Sequence, residues 1–153
     1  MIRYLTLLSL FTLILIDQYT KALAMDWLMF QNVTFIPDFV NFALAFNKGV
    51  AFSMFANQHE MYIICITIVN FIAIVGLVYW LVANQHPLLI NLGLSLIIAG
   101  GSSNLIDRIK LHYVIDFIQL SVFDYQLFIC NVADIYVTIG AVLFIYSRIV
   151  EQS

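Results

Sequence analysis

Residues 61–83 read MYIICITIVNFIAIVGLVYWLVA, a run with no charged side chain. The hydrocarbon core of a bilayer takes about 20 apolar residues of helix to cross. A water-soluble domain has no use for such a stretch, so it decides the class: the chain folds in lipid. Three more windows have the same character, roughly 4–24, 87–106 and 127–147, and the last is interrupted only by Asp134. Composition agrees. The 153 residues are 63% hydrophobic and 10% charged, with a mean hydropathy of +1.00, whereas a soluble domain carries about a quarter charged residues. No internal repeat or low-complexity segment divides the chain, so residues 1–153 are expected to form one membrane domain.

Several classes drop out at once. A net charge of −3 with six Lys+Arg gives no stripe able to track a nucleic-acid backbone. Two cysteines, Cys65 and Cys130, are too few for a disulfide framework, and both sit among apolar residues. His59, His86 and His112 make no metal-binding motif, and neither a Ser/His/Asp set nor a phosphate loop is apparent. Arg3, the apolar run behind it and Ala22–Ala24 imitate a cleavable secretory signal. DQYTK (Asp17–Lys21) is too charged for that, and its removal would leave an odd number of spans, so a retained first helix is expected.

Four spans place their charges very unevenly. The ends joined by the two long connections receive Asp17, Lys21, Asp26, Asp38, Lys48, Glu60, Asp107, Arg108, Lys110, Asp116, Asp124 and Asp134; the opposite face receives Arg3, Arg148 and Glu151. The link on that lean face, Asn84–Pro87, is a bare turn. Work is therefore expected on the crowded face. The Lys/Arg count does not orient the chain, because Lys21 and Arg108 lie beside acids and read as site residues rather than as topology signals.

Five motifs populate the crowded face. In DQYTK, Asp17 and Lys21 are spaced i, i+4 and share one helix side. That is the pattern of an end-of-helix ion pair with Lys21 reaching to the interface, or of a polar group facing a cavity. FNKGVAFSMF (Phe46–Phe55) closes a Phe- and Val-rich connection that reads as short strands, with Gly49 free to take positive φ in the NKG turn; it suits an ordinary hairpin or a small amphipathic sheet on the membrane. GGSSNLIDRI (Gly100–Ile109) gives another helix a small-residue face for close approach, and Asn104, Asp107 and Arg108 are spaced to point into one bundle interior. In YVIDFIQL, Asp116 has apolar neighbours on both sides, unusual for an acid that points to water. In CNVAD (Cys130–Asp134), Asn131 suits a helix cap with Asp134 at N3, a role compatible with fixing a functional carboxylate.

Combined, these motifs are more specific. Asp116 and Asp134 flank the point where the chain re-enters the membrane, so both lie at one depth on one face. Two carboxylates buried close together cannot both ionise; they share a proton and titrate jointly. One can then take a proton from water while the other donates to a carbonyl, which is the equipment of an aspartyl protease. The alternative from another class is a proton-coupled membrane transporter or channel subunit, which also buries acids. It calls for charge along a path through the bilayer, and the second and third spans carry none.

DQYTK, FNKGVAFS, GGSSNLIDRI, YVIDF and NVADIYVTIG, in this order over nearly the whole chain, resemble bacterial lipoprotein signal peptidase (signal peptidase II). The resemblance implies an all-α inner-membrane protein of four transmembrane helices with a small β-rich periplasmic subdomain between helices 1 and 2, and both termini in the cytoplasm. It implies an aspartyl endopeptidase that cuts prolipoproteins just before the diacylglyceryl-modified cysteine, needs no cofactor or metal and is blocked by globomycin. The catalytic pair maps to Asp116 and Asp134, and supporting residues map to Asp17, Lys21, Asn47, Gly49, Asn104, Asp107, Arg108 and Asn131. Cys130 and Lys48 depart from the family pattern, standing where an aromatic and a small polar residue are common. The expected partners are the lipidated precursors and membrane lipid, with the lipid head group held near Lys21 and the 30–58 connection; a monomer is expected.

Overall fold

The computed structural model describes residues 2–49, 59–123 and 125–150. In chain order these form α1 (Ile2–Leu28), β1 (Val33–Ile36), β2 (Val40–Asn47), α2 (His59–Ala83), α3 (Leu88–Leu111), β3 (Val114–Val122), β4 (Tyr125–Cys130) and α4 (Val132–Val150). Residues 50–58, which complete the FNKGVAFSMF motif, and Asp124 lie outside the described residues. All four helices are long and apolar enough to cross a membrane.

The helices differ in what they touch. More than half of α3's apolar window, 56%, is buried inside the protein, against 6% for α2. α3 is thus the central post, packed against α1, α2 and α4. Ile68, Phe71, Ile72 and Val75 of α2 point outward, where in a bilayer they meet acyl chains rather than water. Contact between α3 and α4 is backbone to backbone. A Cβ added to Gly93 would lie 2.8 Å from the Gly140 carbonyl oxygen, and one added to Gly140 would lie 2.6 Å from that of Gly93. Helices without a hydrophobic drive to associate in lipid gain most from such close approach. Gly100 makes the same kind of contact one end further along, against the Ala133 carbonyl oxygen and Val137.

At the crowded end the strands pair antiparallel in the order β1-β2-β3-β4. The β-rich unit expected between helices 1 and 2 is present, and it is larger than the sequence suggested. Half of it, β3 and β4, comes from the connection between α3 and α4. The fourth helix accordingly begins at Val132 rather than near 127, because Tyr125–Cys130 pairs with β3 instead of entering the span. α3 runs on past the expected 106 to Leu111, and His112 closes it in the left-handed region (φ 64°) with its N–H on the Arg108 carbonyl. Ala24, Leu28 and Phe117 form a small core with Phe42, Leu44, Ile118 and Val132, which docks the sheet onto the ends of α1 and α4. That docking carries Asp116, paired opposite Ala45 in the ladder, over the helix ends.

Candidate active site

The polar residues singled out above converge on this end of the bundle, in two linked groups. The first is built on Lys21. Its ammonium lies 2.8 Å from Asp17 Oδ2 and 2.7 Å from Asp107 Oδ2, and donates to Asn104 Oδ1 at 2.8 Å. An ammonium has three protons to give, and all are placed. Lys21 is 1% exposed, so it does not reach out to an interface or to a lipid head group as expected. The reason is tertiary: α3 covers it. Asp17 also accepts from Ser103 Oγ (2.6 Å) and from the Ala133 backbone N–H (2.7 Å), which ties α1 to α3 and to the first turn of α4. Gln18 donates to Asp107 Oδ1 at 2.7 Å, and the Ile115 N–H reaches Asp107 Oδ2 at 3.3 Å.

The second group holds Asp116 and Asp134. Asn131 caps α4 reciprocally: its Oδ1 accepts from the Asp134 N–H and its own N–H donates to Asp134 Oδ2, both at 3.0 Å. This capping box leaves the Asn131 amide free to reach across, and it donates to Asp116 Oδ1 at 2.6 Å. One residue therefore grips both carboxylates. Asn104 donates to Asp134 Oδ1 at 2.9 Å, and Asn47 donates to Asp116 Oδ2 at 2.8 Å. Asn47 is held in turn by the Gly49 N–H on its Oδ1 at 2.7 Å, a turn in which Gly49 takes φ 77°. Only glycine adopts that region without strain.

Asp116 is 2% exposed. Burial pushes its carboxyl up from the usual value to about 6; the Asn47 hydrogen bond opposes this and the nearby Asp134 charge adds to it. Among the described residues no ion pair reaches either carboxylate. Asn104 and Asp107 turn into the bundle, while Arg108 donates weakly to the Asn104 carbonyl (3.4 Å) and lines a cavity of about 540 Å³. That cavity runs between α2, α3 and α4 and is shared by Tyr62, Ile66, Val69 and Asn70 of α2 and by Asp134. The described residues hold no group of three or more His, Cys, Asp or Glu side chains suited to a metal ion.

Residues 9–150 match the sequence model of the family described as signal peptidase (SPase) II. The chain belongs to the signal peptidase II family. Lipoprotein signal peptidase of Coxiella burnetii (strain RSA 331 / Henzerling II) is 36% identical over 141 residues, which span 92% of this chain and 86% of that protein. That of Clostridium tetani is 38% identical over 142 residues, 91% and 88% respectively. That of Streptococcus pyogenes serotype M2 is 37% identical over 145 residues, 94% and 91%. A bacterial membrane enzyme solved by the in meso method at 1.9 Å matches with TM-score 0.77 at 31% identity, over 94% of this chain and 91% of that one. A second, at 2.3 Å, gives TM-score 0.77 at 29% identity, over 97% and 89%. Membership of the signal peptidase II family, which is aspartic, decides against the transporter alternative.

The five motifs did not flag every member of the network. Gln18 and Ser103 lie inside two of them, yet neither was marked, because their partners stand on another helix. The α2 wall of the cavity gave no signal at all within a charge-free span.

Proposed function

We propose that this signal peptidase II cleaves lipid-modified prolipoproteins just before the diacylglyceryl-cysteine, with Asp116 and Asp134 as the catalytic pair. The observation that carries this reading is the grip of Asn131 on both carboxylates, 2.6 Å to Asp116 and 3.0 Å to Asp134. The Asp116 carboxyl, raised to about 6 chiefly by burial, is assigned the shared proton.

A water between them attacks the scissile carbonyl. Asp134 takes the water's proton while Asp116 gives its own to the carbonyl oxygen, which leaves a neutral diol. Asp134 then delivers the proton it took to the departing nitrogen, the C–N bond breaks, and Asp116 recovers a proton from the diol. The new carboxyl and the free amine leave with the pair in its starting state. Each positioned proton transfer is worth roughly 10²–10⁴-fold in rate. Asn47, Asn104 and Asn131 orient the carboxylates, Gly49 fixes Asn47, and Asp17, Lys21 and Asp107 anchor the helix ends from which they project. Arg108 meets the substrate in the cavity.

The crowded end faces the periplasm and both ends of the chain the cytoplasm, because precursors present the lipidated cysteine at the outer surface of the inner membrane. The acyl chains stay in the bilayer. All the site residues come from one chain, so a monomer suffices, and globomycin-type inhibitors compete for the same site. Purified Asp116→Asn and Asp134→Asn enzymes, assayed on a diacylglyceryl-modified precursor, are each expected to lose turnover at least about a thousandfold. Turnover near wild type in either variant would end the assignment.

A further inference from the structure

Asn70 is the one side-chain amide in the described apolar length of α2. Asn70 lies on the cavity wall, and its Nδ2 donates to the Gly101 carbonyl of α3 at 3.2 Å. Among the described residues this is its one hydrogen bond, so a second N–H and the Oδ1 lone pairs are uncommitted. A half-satisfied amide at membrane depth is costly, and such residues mark a pathway or a partner. Gly101 precedes Asn104, which holds Asp134, by three residues, about 4.5 Å along the helix axis. Asn70 thus sits about one turn deeper in the bilayer than the carboxylate pair, and Asp134, Asn104 and Arg108 line the same cavity.

A helical transmembrane substrate satisfies its own backbone. To be hydrolysed it must unwind around the scissile bond, and the freed N–H and C=O groups have no water to meet in hydrocarbon. The stretch that descends from the cut into the bilayer is the one preceding it. An extended peptide advances about 3.3 Å per residue, so the level of Asn70 is reached at the second residue before the cut. We infer that Asn70 is a substrate-binding residue that pairs with the unwound main chain there, its Oδ1 accepting the N–H and its free Nδ2 proton meeting the C=O. The other cavity groups at that level, Val69, Ala73 and Val137, are apolar and have nothing to offer a peptide bond. This inference rests on the protease reading.

The test combines the enzyme variant with a backbone-altered substrate. Full-length wild type and Asn70→Leu are assayed on the lipid-modified precursor and on versions in which an ester replaces the amide N–H of the second or the third residue before the cut. Asn70→Leu is expected to lose roughly tenfold in kcat/KM through a higher KM, kcat nearly unchanged, since one buried hydrogen bond to the backbone is lost. Wild type should lose a similar factor on one of the ester substrates, whereas Asn70→Leu should be indifferent to it, and Asn70→Gln should recover part of the loss. A purely structural Asn70 gives equal ester effects in both enzymes; that result, or an unchanged kcat/KM in Asn70→Leu, overturns the inference alone. A wild type that leaves the parent precursor uncut overturns the protease reading as well.

Discussion

Two pairs of acids lie within one end of this bundle, and they are held in opposite ways. Asp17 and Asp107 share the Lys21 ammonium at 2.8 and 2.7 Å. Asp116 and Asp134 receive amides, from Asn47, Asn131 and Asn104, and one backbone N–H. An adjacent cation favours the charged form of a carboxylate. Amides orient a carboxylate yet leave its proton exchangeable. In the proposed mechanism the same residue type serves as an anchor in one place and as a proton carrier in the other, and the difference lies in the neighbour.

The largest effect should come from neutralising one member of each pair. Asp116→Asn is expected to abolish turnover by about a thousandfold or more and to leave the protein folded. Asp107→Asn should do the reverse, with turnover within about tenfold of wild type and a clearly lowered unfolding temperature in detergent, since it frees one arm of a buried ion pair. Turnover lost equally in both variants, with equal stability, would erase the distinction between anchor and proton carrier.

Lys21→Met sharpens the same contrast from the cationic side. It strands two buried carboxylates, and breaking a buried pair typically costs about 3–5 kcal/mol. Arg108→Met removes a cation that makes no ion pair among the described residues, so its stability should change by less than about 1 kcal/mol while its KM for precursor rises. Denaturant unfolding of the two variants gives both numbers.

The sequence exposed this contrast only in part. The spans were legible because hydropathy over 20 residues is a bulk property, and the carboxylates were legible because charge in such spans is rare. Residues 127–130 read as part of the fourth span since LFIC is as apolar as a helix turn, and a window cannot tell a strand from a helix by that alone. β3 escaped because Val114–Phe117 is buried on both faces, which removes the alternation that marks a strand. Lys21 was half legible. Its i+4 spacing from Asp17 gave the pair, whereas Ser103, Asn104 and Asp107, which bury it, lie more than eighty residues away in the chain.

Asn47 is the place to tune Asp116 without touching it. Its hydrogen bond lowers the Asp116 carboxyl against the upward push of burial. Asn47→Ala removes a stabiliser of the charged form, so Asp116 should hold its proton to a pH above 6. The alkaline limb of the kcat/KM profile, where the pair loses its last shared proton, should then move upward. A hydrogen bond to a charged group is worth enough to shift it by about one pH unit, while the maximum falls because Asp116 is less well oriented. A limb that stays in place or moves down would mean that a group other than Asp116 sets it.

The smallest effect is read from a bystander. The Cys130 thiol is pushed up to about 11, first by burial and then by the charges of Asp134 and Asp116. Its thiolate fraction, and hence its alkylation rate, therefore reports the charge carried by Asp134 and Asp116. Asp134→Asn removes one source of that upward push, so Cys130 should alkylate severalfold faster at a fixed mildly alkaline pH. Asp107→Asn should leave the rate alone, because the Asp107 charge is already answered by Lys21 at 2.7 Å and does not contribute to the Cys130 shift. The measurement needs Cys65→Ser as background, so that the exposed thiol on α2 adds no signal. If both variants accelerate alkylation equally, the two pairs are felt alike at Cys130, and the cation at Lys21 does not insulate its acids.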